Sequence, residues 1–186
     1  MSRRQPLPRL WLMTDERMGE RLWEAIDRLE HGRRGIVFRH YGSPAEKRQM
    51  IAQRVAELCR KRKLTLAVAR DVELARSLGA QLVHNPDAEV ANLPFSRAVH
   101  SLAEAEAARA EGAALVFVSP VRPTRSHPDR KALGKTSAAK IAKAAGVPAI
   151  ALGGMDWLAW MGMRDIFHGW AGIDAWMKET EGPSRE

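Results

Sequence analysis

Residues 98–120 read AVHSLAEAEAARAEGAALVFVSP, and they contain one complete strand–helix–strand unit. A short apolar run at 98–99 leads to a stretch rich in Ala, Glu and Leu at 102–111, and a second apolar run, ALVFV, follows at 114–118. Ser101 precedes the helical stretch and Gly112 follows it, as helix caps do. A continuous apolar run is typical of a parallel strand that is buried on both faces. The stretch therefore predicts two parallel strands joined by a helix.

The same alternation recurs along the chain. We predict strands at residues 10–13, 35–38, 64–68, 81–83, 98–99, 114–118, 149–152 and 167–173. We predict helices at 21–30, 44–61, 72–78, 102–111, 136–145 and 173–180, with Ser43 as the N-cap and Pro44 as the first residue of the second helix. About eight such units favour a closed (β/α)8 TIM barrel over an open sheet.

The length of the chain makes this a compact barrel. At 186 residues it is short for the fold, so some helices must be trimmed, chiefly between strands 7 and 8. We predict a single barrel domain over residues 1–180, followed by a disordered tail at 181–186, where Gly and Pro accompany charged residues.

Bulk composition narrows the class of protein. The chain carries a formal net charge of +8, and its basic residues are scattered without interleaved aromatic side chains, so we expect no nucleic-acid partner. A small phosphorylated metabolite suits the charge equally well. No apolar run approaches the roughly 18 residues of a membrane span, so no membrane partner is expected. The single cysteine, Cys59, cannot form an internal disulfide, which favours the cytoplasm.

Polar residues at the strand ends form the candidate site, because the residues that follow the strands of such a barrel converge at one end of it. Three histidines, His40, His84 and His100, fall at predicted strand ends. Imidazole can serve as a general acid or base near neutral pH, or it can simply satisfy a backbone group. The spacings match no metal motif, so we assign no metal ligands.

Two loops favour phosphate binding. The sequence VFVSPVRPTRSHP at 116–128 carries Thr124, Ser126 and His127 beside two arginines, and hydroxyl and basic groups together can hold a phosphate. Gly153 and Gly154 follow strand 7 directly, where backbone N–H groups can approach a phosphate, although a tight turn without a ligand would use the same residues.

Five segments together resemble the thiamine phosphate synthase/TenI family of (β/α)8 barrels. LWLMTD is similar to the family's first strand, and LARSLGAQLVHN, AVHSLAEA, SPVRPTRSHPDRKALG and VPAIALGGM are similar to later motifs in the same order. The resemblance implies a transferase of thiamine biosynthesis that joins a pyrimidine diphosphate to a thiazole phosphate, using Mg²⁺. It also implies that ligand-binding residues include Arg39, Ser101, Thr124, Ser126, His127, Gly153, Gly154 and Gly172.

Departures from the family pattern fall where the diphosphate and metal would be held. Of the family's Q-x-R-x-K after strand 2, only Arg39 is kept, and Tyr41 replaces the lysine. The family's N-D pair after strand 3 is Ala69–Arg70, with Asp71 next to it, and the second acidic position is Asp87 or Glu89. Mg²⁺ is held by carboxylates and phosphate oxygens, so Arg70 at the acidic position should weaken Mg²⁺ binding strongly.

Three functions therefore stay open. The first is the synthase reaction. The second is that of the TenI branch, whose thiazole tautomerisation is a metal-independent proton shift, with His100 in the acid/base position. The third is a degenerate barrel that binds a phosphorylated ligand without turnover.

Trp157, Trp160, Trp170 and Trp176 cluster late in the chain. Core packing or packing at a subunit interface, as in a homodimer, accounts for them better than stacking on a cofactor.

Overall fold

The computed structural model describes residues 7–31, 33–124 and 130–177. In these residues eight parallel strands form one closed ring in the order of the sequence, which confirms the (β/α)8 TIM barrel. The strands are β1 Leu10–Met13, β2 Arg34–Phe38, β3 Thr65–Ala69, β4 Leu82–His84, β5 Phe95–Val99, β6 Leu115–Val118, β7 Ala149–Leu152 and β8 Gly169–Gly172. The helices are α1 Arg21–Asp27, α2 Ala45–Arg62, α3 Val72–Ser77, α4 Leu102–Ala110, α5 Gly134–Ala145 and α6 Trp157–Met161.

The expected trimming is present. Helix α6, between β7 and β8, has five residues. In the described chain β4 is followed by β5 with no helix between them, and the sequence pattern places no helix there either. Strands β4, β7 and β8 keep nearly all of their residues buried, and those of β5 are buried or half-buried, so the barrel closes without the full set of helices.

Three of the differences between predicted and observed boundaries have a clear physical reason. Strand β5 begins at Phe95 instead of residue 98, because the polar residues Ser96 and Arg97 interrupt the apolar pattern; Ser96 is nevertheless buried, with a hydrogen bond to His84. Helix α2 begins at Ala45 and the predicted Ser43 cap is wrong, since the extended Pro44 (ψ 145°) is the capping residue. The helix predicted at 173–180 is a 3₁₀ turn at Asp174–Trp176, and residues 178–186, which include the predicted tail, lie outside the described residues.

The core consists of two clusters of buried side chains, one with Trp11 and Phe117 and the other with Trp160 and Trp170. Trp11 and Phe117 are fully buried and meet edge to face, with 5.6 Å between ring centroids. Trp160 and Trp170 are also buried, and Trp170 stacks on Trp176 at 5.3 Å, so these rings pack in the protein as predicted. No helix in the described part of the chain has the length and apolar character needed to span a membrane.

The barrel closes where β8 meets β1. Leu12 pairs with Gly172 in this register, and the amide of Trp170 donates to the carbonyl of Arg9 at 2.8 Å. Gly169 lies so close to this backbone that a Cβ atom added there would be 1.8 Å from the Arg9 carbonyl oxygen. Glycine is therefore required at 169 by the close approach of two main chains, which no side-chain movement can relieve.

We expect Gly169→Ala to lower the free energy of unfolding by about 3 kcal/mol, because backbone must shift at the seam of the barrel. The matched control is Gly162→Ala, where an added Cβ meets nothing closer than 3.7 Å and the effect should stay within about 0.5 kcal/mol. Urea unfolding followed by circular dichroism measures both. Equal stability of the two variants would contradict this account of the seam.

Candidate functional site

A cavity of about 540 Å³ opens at the carboxyl ends of the strands. The cavity lies among the loops that follow the strands, on the face where barrels of this kind carry their sites. Its lining includes Arg39, Tyr41, Arg70, His84, Asn85, His100, Ser119, Thr124, Arg130, Gly153, Gly154, Asp156, Gly172 and Asp174. A volume of this size suits a small molecule.

The structure brings six of the predicted site residues together around this cavity: Arg39, His100, Thr124, Gly153, Gly154 and Gly172. Ser101 is not among the lining residues. Its hydroxyl caps α4 by accepting a hydrogen bond from the amide of Glu104 at 3.2 Å. Ser126 and His127 lie outside the described residues.

His100 is held in one orientation by contacts on both sides. Its backbone amide donates to the Glu104 carboxylate at 2.6 Å, and its Nδ1 lies 2.6 Å from the carbonyl oxygen of Ser119. A carbonyl can only accept, so Nδ1 carries the proton and donates it. In the neutral ring Nε2 is then the unprotonated nitrogen, and no hydrogen bond reaches it from the described residues. This is the arrangement that a general base requires.

The other two strand-end histidines are structural. His84 is fully buried, with Nδ1 3.0 Å from the Ser96 hydroxyl and its ring edge-on to Phe117. Burial lowers the pKa of His84 to about 3, so it is neutral in the folded protein. His40 stacks on Phe38 and bonds the Thr14 hydroxyl at 3.0 Å, and burial lowers its pKa as well.

We expect His84 to make the fold acid-sensitive. The unfolded chain takes up a proton on this ring near pH 6.5 and the folded chain does so only near pH 3, so the free energy of unfolding falls as pH is lowered between these values. The slope contributed is about 1.4 kcal/mol per pH unit. His84→Asn can keep the bond to Ser96 without titrating.

Urea unfolding between pH 7 and pH 4.5 measures this effect as a slope. His84→Asn should flatten the slope whatever its stability at pH 7, and the exposed His31→Asn should not. A slope unchanged in His84→Asn would show that the ring is charged in the folded state, against this description.

The two glycines after β7 lie directly beneath the loop that follows β6. Gly153 and Gly154 have φ of +91° and +60°, and an added Cβ would come within 2.9 Å of Pro120 Cα and 2.4 Å of the Pro123 carbonyl oxygen, respectively. The Arg122 amide donates to the Gly153 carbonyl at 3.1 Å. The glycines are thus required by main-chain packing alone, and their role toward a phosphate stays a prediction.

Arg39 lines the cavity and is held there by hydrogen bonds to residues that follow β1. Its Nε donates to the Thr14 carbonyl at 2.8 Å and its Nη2 donates to Asp15 at 3.1 Å. Burial lowers the pKa of Arg39 and the charge of Asp15 opposes this effect. Burial alone would raise the pKa of Asp15, but hydrogen bonds from Arg17 and the charge of Arg39 keep it below its usual value. The pair therefore stays ionised.

The carboxylates near the mouth are engaged within the protein. Asp71 accepts from the Leu74 amide at 2.9 Å as the cap of α3 and from Arg48 at 2.7 Å. Asp156 caps α6 by accepting from the Ala159 amide at 2.9 Å. Across residues 7–31, 33–124 and 130–177, no three acidic, histidine or cysteine side chains are grouped so that they could hold a metal ion. Asp71 and Asp156 therefore already accept hydrogen bonds within the protein, whereas Mg²⁺ is bound by carboxylate and phosphate oxygens.

Arg70 and Tyr41 form a second feature of the mouth. The guanidinium of Arg70 lies over the Tyr41 ring, 4.7 Å from its centroid. Burial raises the pKa of Tyr41, and the charges of Arg39 and Arg70 oppose this effect. Neither residue is among the predicted site residues, because in the sequence each of them appears as a departure from the family pattern. Asn85, Arg130, Asp156 and Asp174 were also missed, and for Asn85 the position directly after a predicted strand was the available signal.

Comparison with known sequences decides the family. The family model for thiamine monophosphate synthase matches residues 10–161, which include every strand of the barrel except β8. The chain belongs to the thiamine monophosphate synthase family. This confirms the resemblance found in the sequence and makes the chain a TIM barrel of a thiamine-biosynthesis family.

Relatives within the thiamine monophosphate synthase family are distant. The chain is 28% identical over 162 residues to a putative thiamine-phosphate synthase 2 of Aquifex aeolicus, with 81% of this chain and 87% of that protein covered. It is 30% identical over 141 residues to a thiamine-phosphate synthase of Bacillus velezensis, with 68% and 63% covered.

Solved structures show the same fold. A thiamine phosphate pyrophosphorylase from Pyrococcus furiosus superposes with a TM-score of 0.79 at 24% identity, covering 93% of this chain and 89% of that one. A 3-hexulose-6-phosphate synthase superposes with a TM-score of 0.59 at 15% identity, covering 89% of each chain. At these identities the likeness concerns the barrel and not its chemistry.

Proposed function

We propose that this member of the family binds a phosphorylated thiazole in the cavity and shifts a proton on it, with His100 as the acid/base and without Mg²⁺. The observation that carries the proposal is the hydrogen bond from His100 Nδ1 to the Ser119 carbonyl, 2.6 Å long. It leaves the basic Nε2 of a neutral imidazole for a ligand in a cavity of small-molecule size.

The proposed step is a tautomerisation. Nε2 of His100 removes a proton from one atom of the thiazole carboxylate phosphate and returns a proton at another, so substrate and product have the same formula. The imidazolium that forms between the two transfers is stabilised because its Nδ1–H remains bonded to the Ser119 carbonyl. Ser119 is thus a positioning residue, since it holds the ring and its tautomer without needing to touch the substrate.

The phosphate of the substrate would be held in the same cavity. Arg39, Thr124, Gly153, Gly154 and Gly172 line it, and the proposed contacts are charge-assisted hydrogen bonds from Arg39 together with backbone N–H groups near the glycines. Ser126 and His127 belong to the same loop in the sequence and are proposed as further phosphate ligands.

Metal independence is supported by the donor set. Asp71 is bound to Arg48 and to the α3 amide, and Arg70 stands where the family motif has an acidic residue. A synthase that binds a pyrimidine diphosphate together with Mg²⁺ would need free carboxylates, whereas Asp71 already accepts hydrogen bonds within the protein.

A second candidate function is the synthase reaction itself. It is favoured by the names of the Aquifex aeolicus and Bacillus velezensis relatives, and by the three arginines that line the cavity, Arg39, Arg70 and Arg130, which could hold a diphosphate. It is the candidate that the assays below must separate from the tautomerase.

The proposed partner is a small metabolite, and the proposed setting is the cytoplasm. The biosynthetic family and the lone Cys59, whose pKa burial raises to about 12, support this setting. A homodimer is proposed as the assembly, and the neighbouring exposed side chains of Trp157 and Leu158 on α6 support it.

We expect His100→Asn to lower kcat for thiazole carboxylate phosphate tautomerisation by about 100-fold or more, since it removes the proton carrier and leaves the cavity otherwise intact. The exposed His31→Asn is the matched control and should turn over at the wild-type rate. Proton exchange into the substrate in deuterium oxide, followed by NMR, measures the step. Undiminished exchange in His100→Asn would remove His100 from the acid/base role.

We expect tautomerisation by the wild-type chain to be the same, within about twofold, in excess EDTA and in millimolar Mg²⁺, because the described carboxylates are engaged by Arg48, Arg39 and helix amides. The same preparations are then given a hydroxymethylpyrimidine diphosphate and thiazole phosphate. Formation of thiamine phosphate that requires Mg²⁺ would replace the tautomerase proposal with the synthase.

A further inference from the structure

Arg70 is one of the three arginines that line the cavity, with Arg39 and Arg130. Its neighbour Asp71 points its carboxylate to Arg48, at 2.7 Å, and to the Leu74 amide. Arg39 differs, since it is paired with Asp15. In the described part of the chain the guanidinium of Arg70 makes no ion pair, and its contact is with the face of the Tyr41 ring.

The main chain fixes where Arg70 stands. Its φ of +66° is in the left-handed region, which residues other than glycine seldom adopt. The conformation is held by two hydrogen bonds to the β4 side, since the Arg70 amide donates to the His84 carbonyl at 2.8 Å and the Asp87 amide donates to the Arg70 carbonyl at 3.3 Å. An unfavourable conformation that several contacts enforce is a common feature of binding sites.

The position of Arg70 over Tyr41 affects what Arg70 can bind. A guanidinium above an aromatic ring is attracted to the face of that ring, and its N–H donors remain for other partners. Two parallel N–H groups of a guanidinium match the two oxygens of a carboxylate. Tyr41 is 46% exposed and lines the cavity together with Arg70, so a ligand can reach the pair from the cavity side.

The order of strands places this pair relative to the rest of the site. In a closed ring of eight sequential strands, β3 stands opposite β7, and β5 is two strands from each. Arg70 follows β3, Gly153 and Gly154 follow β7, and His100 follows β5. A ligand that spans the mouth would therefore have its two ends at Arg70 and at the glycines, with His100 beside its middle.

We infer that the Arg70–Tyr41 pair binds the carboxylate of a ligand that carries a carboxylate at one end and a phosphate at the other, and so makes this barrel specific for the carboxylated form of its substrate. The inference rests on the proposed function for the identity of the heterocycle between the two anions. It assigns to Arg70 the recognition of a planar anion at the position where the family motif has an acidic residue.

The test compares two ligands that differ in the carboxylate alone. Isothermal titration calorimetry measures Kd for thiazole carboxylate phosphate and for the thiazole phosphate without the carboxylate. Wild-type protein should prefer the carboxylated ligand by about tenfold, as one charge-assisted bidentate contact contributes. Arg70→Gln should abolish this preference while Kd for the thiazole phosphate stays within about twofold. Arg70→Lys, which keeps the charge but not the planar edge, should keep a small part of it.

Arg21→Gln is the control for net charge, because Arg21 is exposed on α1, away from the cavity. It should leave both Kd values unchanged. Two results would overturn the inference: a preference that survives in Arg70→Gln with unchanged thermal unfolding, or an equal weakening of both ligands, which would make Arg70 a phosphate contact. Absence of binding of either ligand to the wild type would overturn both proposals. A preference without tautomerisation would overturn the proposed function and leave the inference standing.

Discussion

The close approach of β8 to β1 is the constraint on which the rest of the structure depends. Gly169 leaves room for the Arg9 carbonyl, and the Trp170 amide bonds that same oxygen. Without this contact the eight strands would form an open sheet with two free edges. Because the sheet closes, the residues that follow each strand meet at one mouth, although they are far apart in the sequence.

Closure also explains how charge is distributed at the mouth. Some charged side chains near the strand ends pair with charged groups from a neighbouring unit. Arg39 therefore finds Asp15 across 24 residues of sequence, and Arg48 finds Asp71 across 23. These pairs hold the wall of the cavity in place and engage the carboxylates of Asp15 and Asp71 within the protein. Arg70 instead has the Tyr41 ring as its neighbour.

His84 and His100 show how different degrees of burial give the same residue type two different roles. His84 is enclosed by Ser96 and Phe117, and its low pKa keeps it neutral, so it can pack like an aromatic side chain. His100 is only partly buried, and its Nδ1 lies 2.6 Å from the carbonyl oxygen and 3.3 Å from the hydroxyl of Ser119. The same side chain contributes to the core in one case and offers a base to a ligand in the other.

The sequence by itself determined the alternation of strands and helices and the barrel, and it showed the resemblance to the family. These depend on local patterns of apolar residues and on short motifs such as AVHSLAEA. It did not predict that Ser96 extends β5 or that Arg70 lies over the Tyr41 ring. Only the tertiary structure decided these roles, because the partner of each polar group comes from another βα unit or from a backbone conformation that no local pattern encodes.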